Sequence, residues 1–366
     1  MKRSKVFFAD FGVSLQENIP AKFARLLRQA GLPDLPLSGK FVAIKTHFGE
    51  RGNLAFLRPN YARALVDLVR ESRGYPFLTD ANTLYVGGRK NGLDHLETAY
   101  LNGFSPMTVG CHVLIADGLK GSDEVLVPIP DGRYVKEAKI GRAIMDADVL
   151  ISLNHFKGHE LTGFGGALKN VGMGSGSRAG KMEMHNAGKP HIDSLLCVAC
   201  GACRRICAHE APDIAKGRSR IDASRCVGCG RCIALCPVDA VQCNFDESNE
   251  ILQAKIAEYA AAVLRGRPHF HVSVICDVSP NCDCHAENEQ PILPNIGMAA
   301  SADPVALDQA CVDLCLAQRP MPGSCLEGHD GEDYFHLAHD VTRWQDAIEE
   351  GVRMGLGSRD YELVKI

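Results

Sequence analysis

Eight cysteines repeat one spacing twice between residues 197 and 236, and this repeat constrains the fold more than any other feature of the sequence. The two runs are Cys197-x2-Cys200-x2-Cys203-x3-Cys207 and Cys226-x2-Cys229-x2-Cys232-x3-Cys236. Three thiolates at such short intervals wrap one face of an iron–sulfur cubane, and the fourth cysteine of each run reaches the other cluster. The spacing therefore predicts two ligand sets. The first is Cys197, Cys200, Cys203 and Cys236; the second is Cys226, Cys229, Cys232 and Cys207.

The two runs resemble the dicluster ferredoxin family of bacterial type over about residues 190–243. Cys236 is followed by Pro237, as in that family, whereas Cys207 is followed by Ala208 and His209. The resemblance implies two [4Fe-4S] clusters and transfer of single electrons. Zinc is one alternative, but zinc sites usually show separated cysteine pairs. A disulfide framework is another, but it is typical of short secreted chains.

Length and composition indicate a globular protein of more than one domain. A chain of 366 residues exceeds one typical core. The net charge of −4 favours neither nucleic acid nor a membrane surface as a partner. No apolar run reaches the length of a membrane span. The basic start is followed by only four apolar residues before Asp10, which predicts a β-strand rather than a signal peptide. With sixteen cysteines, these features favour the cytoplasm of an anaerobic host.

Short apolar segments alternate with helical segments along the chain. Strands are predicted at residues 6–9, 41–46, 76–79, 112–116, 149–153 and 272–276. Helices are predicted at residues 61–73, 95–101, 250–264, 305–316 and 342–354. Such alternation predicts an α/β fold with a largely parallel sheet and covering helices.

The cysteine runs interrupt this alternation. We therefore expect a discontinuous α/β body, formed by residues 1–187 and 247–366, with an inserted α+β dicluster ferredoxin domain at residues 188–246. Three consecutive domains are the alternative.

Polar residues cluster after three predicted strands, where open α/β sheets place their ligand sites. The candidate site residues are His47, Glu50, Arg51, Asn53, Asp80, Asn82, His155, Lys157, His159 and Lys169. Histidine or Glu50 could transfer protons. Arg51 and the lysines could hold a small anionic substrate. A solvated loop is the plain alternative for the group His47 to Asn53. Helix capping is the plain alternative for Asp80 and Asn82.

A Cys-x-Cys pair near the C-terminus could form a further site. Cys282 and Cys284 are followed by His285, and thiolates select zinc, copper(I) or iron–sulfur. This pair predicts an additional metal or cluster, although buried thiols also serve as small hydrophobes. Downstream, Ser301 or Asp303 is expected to cap a helix that begins at Pro304.

Several of these segments together resemble the uncharacterised iron–sulfur family called domain of unknown function 362. The segments that carry the resemblance are His47–Asn53, His155–His159, Gly166–Asn170, Cys282–Cys284 and Ser301–Ala306. The resemblance covers nearly the whole chain and implies an α/β body with an inserted dicluster ferredoxin. The Gly165–Lys169 turn is also similar to that of the nickel-pincer lactate racemase family.

Three functions are compatible with these features. The first is an iron–sulfur oxidoreductase of unknown substrate, in which two [4Fe-4S] clusters relay single electrons to the polar site. The second is an electron carrier or an adaptor in a redox complex. The third is a metal-dependent racemase-like enzyme. Lys and Arg outnumber Asp and Glu over residues 189–243, so an acidic flavodoxin- or ferredoxin-like electron donor or acceptor is the expected partner.

Overall fold

The computed structural model describes residues 3–185, 189–215 and 217–366. The strands in these ranges are β1 (Ser4–Asp10), β2 (Phe41–Lys45), β3 (Tyr75–Asp80), β4 (His112–Ile115), β5 (Glu124–Pro128), β6 (Glu137–Gly141), β7 (Val149–His155), β8 (Lys157–His159), β9 (Gly163–Gly165), β10 (His191–Ile192), β11 (Pro212–Ala215), β12 (Arg218–Ile221), β13 (Val241–Gln242), β14 (His269–Ile275), β15 (Gly297–Ser301) and β16 (Tyr361–Lys365). The helices are α1 (Ile19–Gln29), α2 (Pro59–Glu71), α3 (Gly92–Leu101), α4 (Pro106–Val109), α5 (Arg142–Asp146), α6 (Ala167–Ser175), α7 (Arg178–His185), α8 (Ala202–Ile206), α9 (Arg231–Leu235), α10 (Asn249–Leu264), α11 (Pro304–Leu316), α12 (Tyr334–Ala338) and α13 (Gln345–Arg353).

An eight-stranded sheet forms the centre of the body. Its order is β16-β1-β15-β14-β7-β2-β3-β4. Within this sheet β15 runs antiparallel to both of its neighbours, while the other described pairings are parallel. The carboxyl ends of β2, β3, β7 and β14 therefore meet at one edge, which is where α/β sheets bind ligands. The predicted α/β class with a largely parallel sheet is confirmed.

Both faces of the sheet are buried under helices because consecutive strand residues, which point to opposite faces, are apolar. Val42 and Ile44 of β2 point into one core with α1 and α2, whereas Ala43 points into the other core with α10 and α11. Strands buried on both faces are typical of parallel sheets.

Side-chain caps fix where several helices begin. The Asn91 side chain accepts hydrogen bonds from two backbone N–H groups of α3. Asp303 caps α11, and Pro304 is its first residue, as one of the two sequence alternatives predicted. Ser301 instead ends β15, where its hydroxyl donates to the Lys5 carbonyl.

The six predicted strands and five predicted helices are present, with small shifts at their ends. The last predicted helix begins at Gln345 rather than residue 342, because Thr342 lies in a turn and its hydroxyl donates to the His339 carbonyl. Sequence patterns missed α1, β15 and β16. The segment Gly297–Ser301 lacks β-branched residues, so its extended form depends on pairing with β1 and β14.

The cysteine-rich segment between α7 and α10 folds into short paired elements. Strand β10 pairs with β13, and β11 pairs with β12, both antiparallel. Helices α8 and α9 lie against each other. The predicted boundary between residues 187 and 188 lies outside the described residues, and the domain division stays a prediction.

The helices in the described ranges are too short or too polar to cross a membrane.

Candidate functional site

A cavity of about 670 Å³ opens at the carboxyl ends of β2, β3 and β7. Eight of the ten predicted site residues line it: His47, Glu50, Arg51, Asp80, His155, Lys157, His159 and Lys169. The cavity also receives residues of α6, α7 and the 282–287 segment. The parallel strands therefore bring together side chains that lie more than a hundred residues apart in the sequence.

A buried network of charged side chains lies at the carboxyl ends of β2 and β3, where it forms one wall of the cavity. Lys45 Nζ lies 2.8 Å from Asp80 Oδ1 and donates to Asn170 Oδ1 at 2.8 Å. Arg89 lies between Asp80, at 3.2 Å, and Glu50, at 3.4 Å. Burial opposes ionisation of Asp80, but the charges of Lys45 and Arg89 outweigh it and hold the pKa of this carboxyl well below its usual range. Removing one partner of such a pair would leave an unpaired buried charge.

Three further predicted site residues hold loops in place: Arg51, Asn53 and Asn82. Arg51 donates to Thr98 Oγ1 at 2.9 Å and to Glu97 at 2.9 Å on α3. Asn53 and Asn82 do not line the cavity. Asn53 Nδ2 donates to the His285 carbonyl at 2.9 Å, and Asn82 donates to Asp117 Oδ1 at 2.8 Å.

His47 faces the cavity in its neutral form. Burial lowers its pKa well below the usual value, and the nearby Arg89 charge adds to this effect. Its Nδ1 accepts the Gly49 N–H at 3.0 Å, so Nε2 carries the proton of the neutral ring. His47 can therefore donate a hydrogen bond to a bound anion.

His155 is held by acceptors on both sides of its ring. Its Nδ1 lies 2.9 Å from both carboxylate oxygens of Asp283, and its Nε2 lies 2.7 Å from the Cys276 carbonyl. The ring must donate from both nitrogens to satisfy both partners. Lys157 Nζ joins the group at 3.2 Å from Asp283 Oδ2. His155 thus positions the 276–283 segment against β7.

Cys282 and Cys284 lie beside Lys169 at one side of the cavity. Lys169 Nζ donates to Cys282 Sγ at 3.0 Å. Burial opposes ionisation of Cys282, but a hydrogen bond from Cys284 and the charges of Lys169 and Lys157 hold its pKa well below the usual value. The same hydrogen bond and burial raise the pKa of Cys284. The pair therefore favours one thiolate, on Cys282, with a cation next to it.

The start of α6 is built around the buried Asp308 of α11. Its two carboxylate oxygens accept the N–H groups of Ala167, at 2.6 Å, and Leu168, at 2.9 Å. Burial raises the pKa of Asp308 to about 7. A Cβ atom on Gly166 would lie only 2.3 Å from Asp308 Oδ1, so this turn requires glycine. Asp308 thereby fixes the first turn of the helix that carries Lys169.

A second group of donors surrounds Cys284. A ring nitrogen of His159 and the sulfur atoms of Cys282 and Cys284 lie within 4.8 Å of one another. A carboxylate oxygen of Glu160, the Cys284 sulfur and a ring nitrogen of His285 form another such group. Both groups contain residue types that bind transition metals.

Sequence reasoning missed several residues that line the cavity. Lys181 and His185 lie on α7, and burial lowers the pKa of Lys181 to about 8 and that of His185 to about 3. Lys45 and Arg89 were also missed. A basic residue every three or four positions in α7, at 178, 181 and 185, was the available signal.

The eight repeated cysteines line two small cavities in the segment between α7 and α10. Cys197, Cys200, Cys203 and Cys236 line one cavity. Cys207, Cys226, Cys229 and Cys232 line the other, together with His209. Backbone N–H groups point at the sulfur atoms, as in Ala211 to Cys207 at 3.4 Å and Ala240 to Cys236 at 3.2 Å. Four thiols with N–H donors suit an iron–sulfur cluster.

The two cavities contact different parts of the body. Leu84 and Met182 pack into one hydrophobic cluster with Cys203 and Cys236, and Leu84 also lines the large cavity. Arg178 of α7 lies against Gly230, where a Cβ atom would be 2.6 Å from Arg178 Cγ.

Arg178 is completely buried beside the second cysteine set. Its Nη2 donates to the Lys90 carbonyl, but within the described residues its Nε and Nη1 have no hydrogen-bond partner. Burial lowers its pKa to about 10, although Asp117, Cys232 and Cys229 partly offset the effect. A buried guanidinium with unpaired donors suits an adjacent negative charge.

The sheet and its lining residues define an α/β protein with a charged cavity at the carboxyl edge of the sheet. The chain belongs to the family described as domain of unknown function (DUF362), whose sequence model matches residues 42–313. No curated protein matches the chain.

The solved structures that match at low identity include the following two. One is the lactate racemase apoprotein from Thermoanaerobacterium thermosaccharolyticum, at 13% identity and a TM-score of 0.37, covering 75% of this chain and 52% of that one. The other is a protein from Thermotoga maritima, at 14% identity and a TM-score of 0.38, covering 92% and 59%. The chain thus spans between half and three fifths of their lengths.

Proposed function

We propose that this protein is an iron–sulfur oxidoreductase that carries single electrons between a soluble protein partner and a small anionic substrate in the large cavity. The observation that carries the proposal is that each predicted four-cysteine set lines its own cavity. When bound, a [4Fe-4S] cluster accepts or donates one electron at a time. Cys197, Cys200, Cys203 and Cys236 would hold one cluster, and Cys207, Cys226, Cys229 and Cys232 the other.

The contact between the cysteine-rich segment and the body supports a relay. Leu84 belongs both to the hydrophobic cluster around Cys203 and Cys236 and to the wall of the large cavity. The apolar cluster that contains Cys203 and Cys236 therefore extends to the wall of the large cavity.

The charges of the large cavity support an anionic substrate. Lys157 is buried next to Asp283, the partly buried Lys169 lies next to Cys282, and His47 offers a ring N–H. Ammonium groups and a neutral N–H donor bind carboxylate or phosphate. Lys181, whose pKa is lowered to about 8 by burial, could exchange a proton with the substrate near neutral pH.

The cavity also argues for catalysis over simple electron carriage. An electron carrier needs only a docking surface, whereas about 670 Å³ lined by buried histidines and lysines has the size and the convergent polar groups of a small-molecule site. The racemase-like alternative gains no separate support from the geometry.

The first test measures cofactor content. We expect anaerobically purified protein to contain about eight iron and eight sulfide per chain, and dithionite to give the paramagnetic signals of reduced [4Fe-4S] clusters. Protein that holds zinc in these cysteines, or no iron after reconstitution, would refute the relay.

The second test asks whether the cavity receives the electrons. Reduced protein is mixed with small 2-oxo acids and phosphorylated acids, and reoxidation is followed optically. We expect the most effective oxidant to react about tenfold more slowly with Lys169→Met, because an ion pair with substrate is lost. Lys120→Met, at an exposed lysine, is the control. Equal reoxidation rates in the unmodified protein, Lys169→Met and Lys120→Met would favour the alternative that the protein is only an electron carrier.

A further inference from the structure

We propose that Cys282, Cys284, His285 and Glu160 bind a divalent transition metal of the zinc class, at a site separate from the eight repeated cysteines. The site lies on the wall of the large cavity, which Glu160, Cys284 and His285 line. Its binding of metal does not depend on the proposed relay, although its role in substrate chemistry rests on the proposed function.

Cys284 is the centre of the donor arrangement. Its sulfur lies within 4.8 Å of ligand atoms in two separate groups, one with Cys282 and His159 and the other with Glu160 and His285. Cys284, Glu160 and His285 are therefore the core of the proposed site, and Cys282 is the neighbouring thiol that would complete it. Two thiolates, an imidazole and a carboxylate are the ligand types of tetrahedral zinc sites. Harder cations such as Mg²⁺ prefer oxygen ligands alone.

One buried oxygen in this group, Glu160 Oε2, lacks a hydrogen-bond partner within the part of the chain that the structure describes. His285 Nε2 lies 3.2 Å from the other oxygen, Glu160 Oε1, so both residues point to the same place. A buried polar atom without a partner costs free energy, and an ion bound between the two residues would satisfy Glu160 and take the place of their direct contact.

The other ring nitrogen of His285 faces a carboxylate. His285 Nδ1 lies 3.4 Å from Glu287 Oε1. Histidines that bind a metal through one nitrogen usually donate the other N–H to a carboxylate or carbonyl, which fixes the ring orientation. His285 therefore has the surroundings of a metal ligand.

His159 fits the role of ligand less well. Its Nδ1 accepts the backbone N–H groups of Leu161, at 3.0 Å, and Thr162, at 3.3 Å. The neutral ring then carries its proton on Nε2, where it can donate a hydrogen bond but not bind a metal. We therefore assign His285 as the imidazole ligand and His159 as a hydrogen-bond donor near the sulfur atoms.

Lys169 would balance the charge of this ligand set. Two thiolates and one carboxylate leave a dication with a net negative charge, and Lys169 Nζ already lies 3.0 Å from Cys282 Sγ. Donors to ligating sulfur or carboxylate stabilise metal sites.

The test measures zinc and iron in the same sample of the full chain. Anaerobically prepared protein is incubated with one equivalent of Zn²⁺, and loosely bound ions are removed by gel filtration. We expect about one zinc per chain with iron content unchanged. Cys284→Ser and His285→Gln should each weaken zinc retention tenfold or more. Cys276→Ala, at a buried cysteine of the same segment, and His159→Gln should retain zinc.

Four results would overturn the site. The first three are no zinc retained by the unmodified chain, equal retention by Cys284→Ser, and loss of zinc in His159→Gln with retention in His285→Gln. Zinc that rises only as iron falls would lie in the repeated cysteines and would also overturn it. Because iron is counted in the same sample, a failed zinc site with eight irons leaves the relay intact, and a zinc site without iron refutes the relay alone.

Discussion

The two halves of the cysteine-rich segment have the same backbone but different surroundings. Every residue of the first cysteine run has its counterpart 29 positions later, from Cys197 and Cys226 to Cys207 and Cys236. The backbone follows the same offset, because Gly201 and Gly230, and likewise Glu210 and Asp239, share left-handed φ angles. The two four-cysteine sets are therefore built alike.

What differs is the part of the body that each set contacts. Cys203 and Cys236 of the first set are buried in one apolar cluster with Leu84 and Met182, whereas Cys232 of the second set is only partly buried against that cluster. The second set lies beside the buried Arg178. Ligand spacing fixes what each set can bind, whereas the neighbouring body residues set the potential of whatever is bound. We expect a cluster in the second set to have the higher potential.

The largest expected effect comes from removing two ligands of either set. Cys197→Ala/Cys200→Ala and Cys226→Ala/Cys229→Ala should each lose about half of the iron, because each pair serves one cluster. Iron analysis and paramagnetic spectra of the reduced protein measure this. Cys243→Ala, in the same hydrophobic cluster but outside both cavities, should keep all of the iron. Complete iron loss in either double variant would mean that the two sets do not bind independently.

A smaller effect is expected from Leu84→Ala. Leu84 is buried at the contact between the first set and the large cavity. Loss of its side chain should lower the free energy of unfolding by about 2–3 kcal/mol, measured by thermal denaturation at one heating rate. Leu195→Ala, at a leucine that is 88% exposed, is the matched control. An equal melting temperature for Leu84→Ala and the unmodified protein would contradict the packing at this contact.

We expect Arg178→Gln to change the reduction potential of a cluster in the second set and to leave that of a cluster in the first set unchanged. A nearby positive charge stabilises the reduced, more negative cluster, so its removal should lower the potential of the second set by on the order of 50 mV. A redox titration followed by paramagnetic resonance resolves the two sets. Arg178→Lys keeps the charge and should restore most of the shift. Equal shifts of both potentials would show that Arg178 acts through the fold instead.

The smallest effect is expected at the position that follows the last cysteine of each run. Ala208 replaces the proline found at Pro237, while the preceding Cys207 and Cys236 have nearly the same extended angles, with φ of −80° and −71°. Cys207 already satisfies the restriction that a following proline imposes. Ala208→Pro should therefore stabilise the protein by about 0.4–1 kcal/mol, and Pro237→Ala should cost a similar amount. Destabilisation by Ala208→Pro would mean that the halves differ more than their angles indicate.

The sequence predicts local features of this molecule better than distant pairings. Strand β7 and the doubled cysteine spacing are visible because short-range patterns determine them. The burial of Arg178 is not visible, since it depends on the contact with Gly230, 52 positions further along the chain. The role of Asp308 is not visible either, because it accepts the Ala167 N–H of a helix that lies 141 positions earlier in the chain.

The candidate site follows the same rule. Strand ends predicted His47, Asp80 and Lys169, because parallel strands bring their carboxyl ends to one edge. Lys45 was missed because it lies inside an apolar strand, where only its partners Asp80 and Asn170 explain a buried ammonium group.

The two ends of the cysteine-rich segment lie side by side. The chain leaves α7 at His185, and the Glu247 N–H donates to the His185 carbonyl at 3.0 Å just before α10 begins. Closing so short a gap with a turn costs little conformational entropy. The segment therefore leaves and re-enters the body at one place, and its presence does not alter the order of the strands in the central sheet.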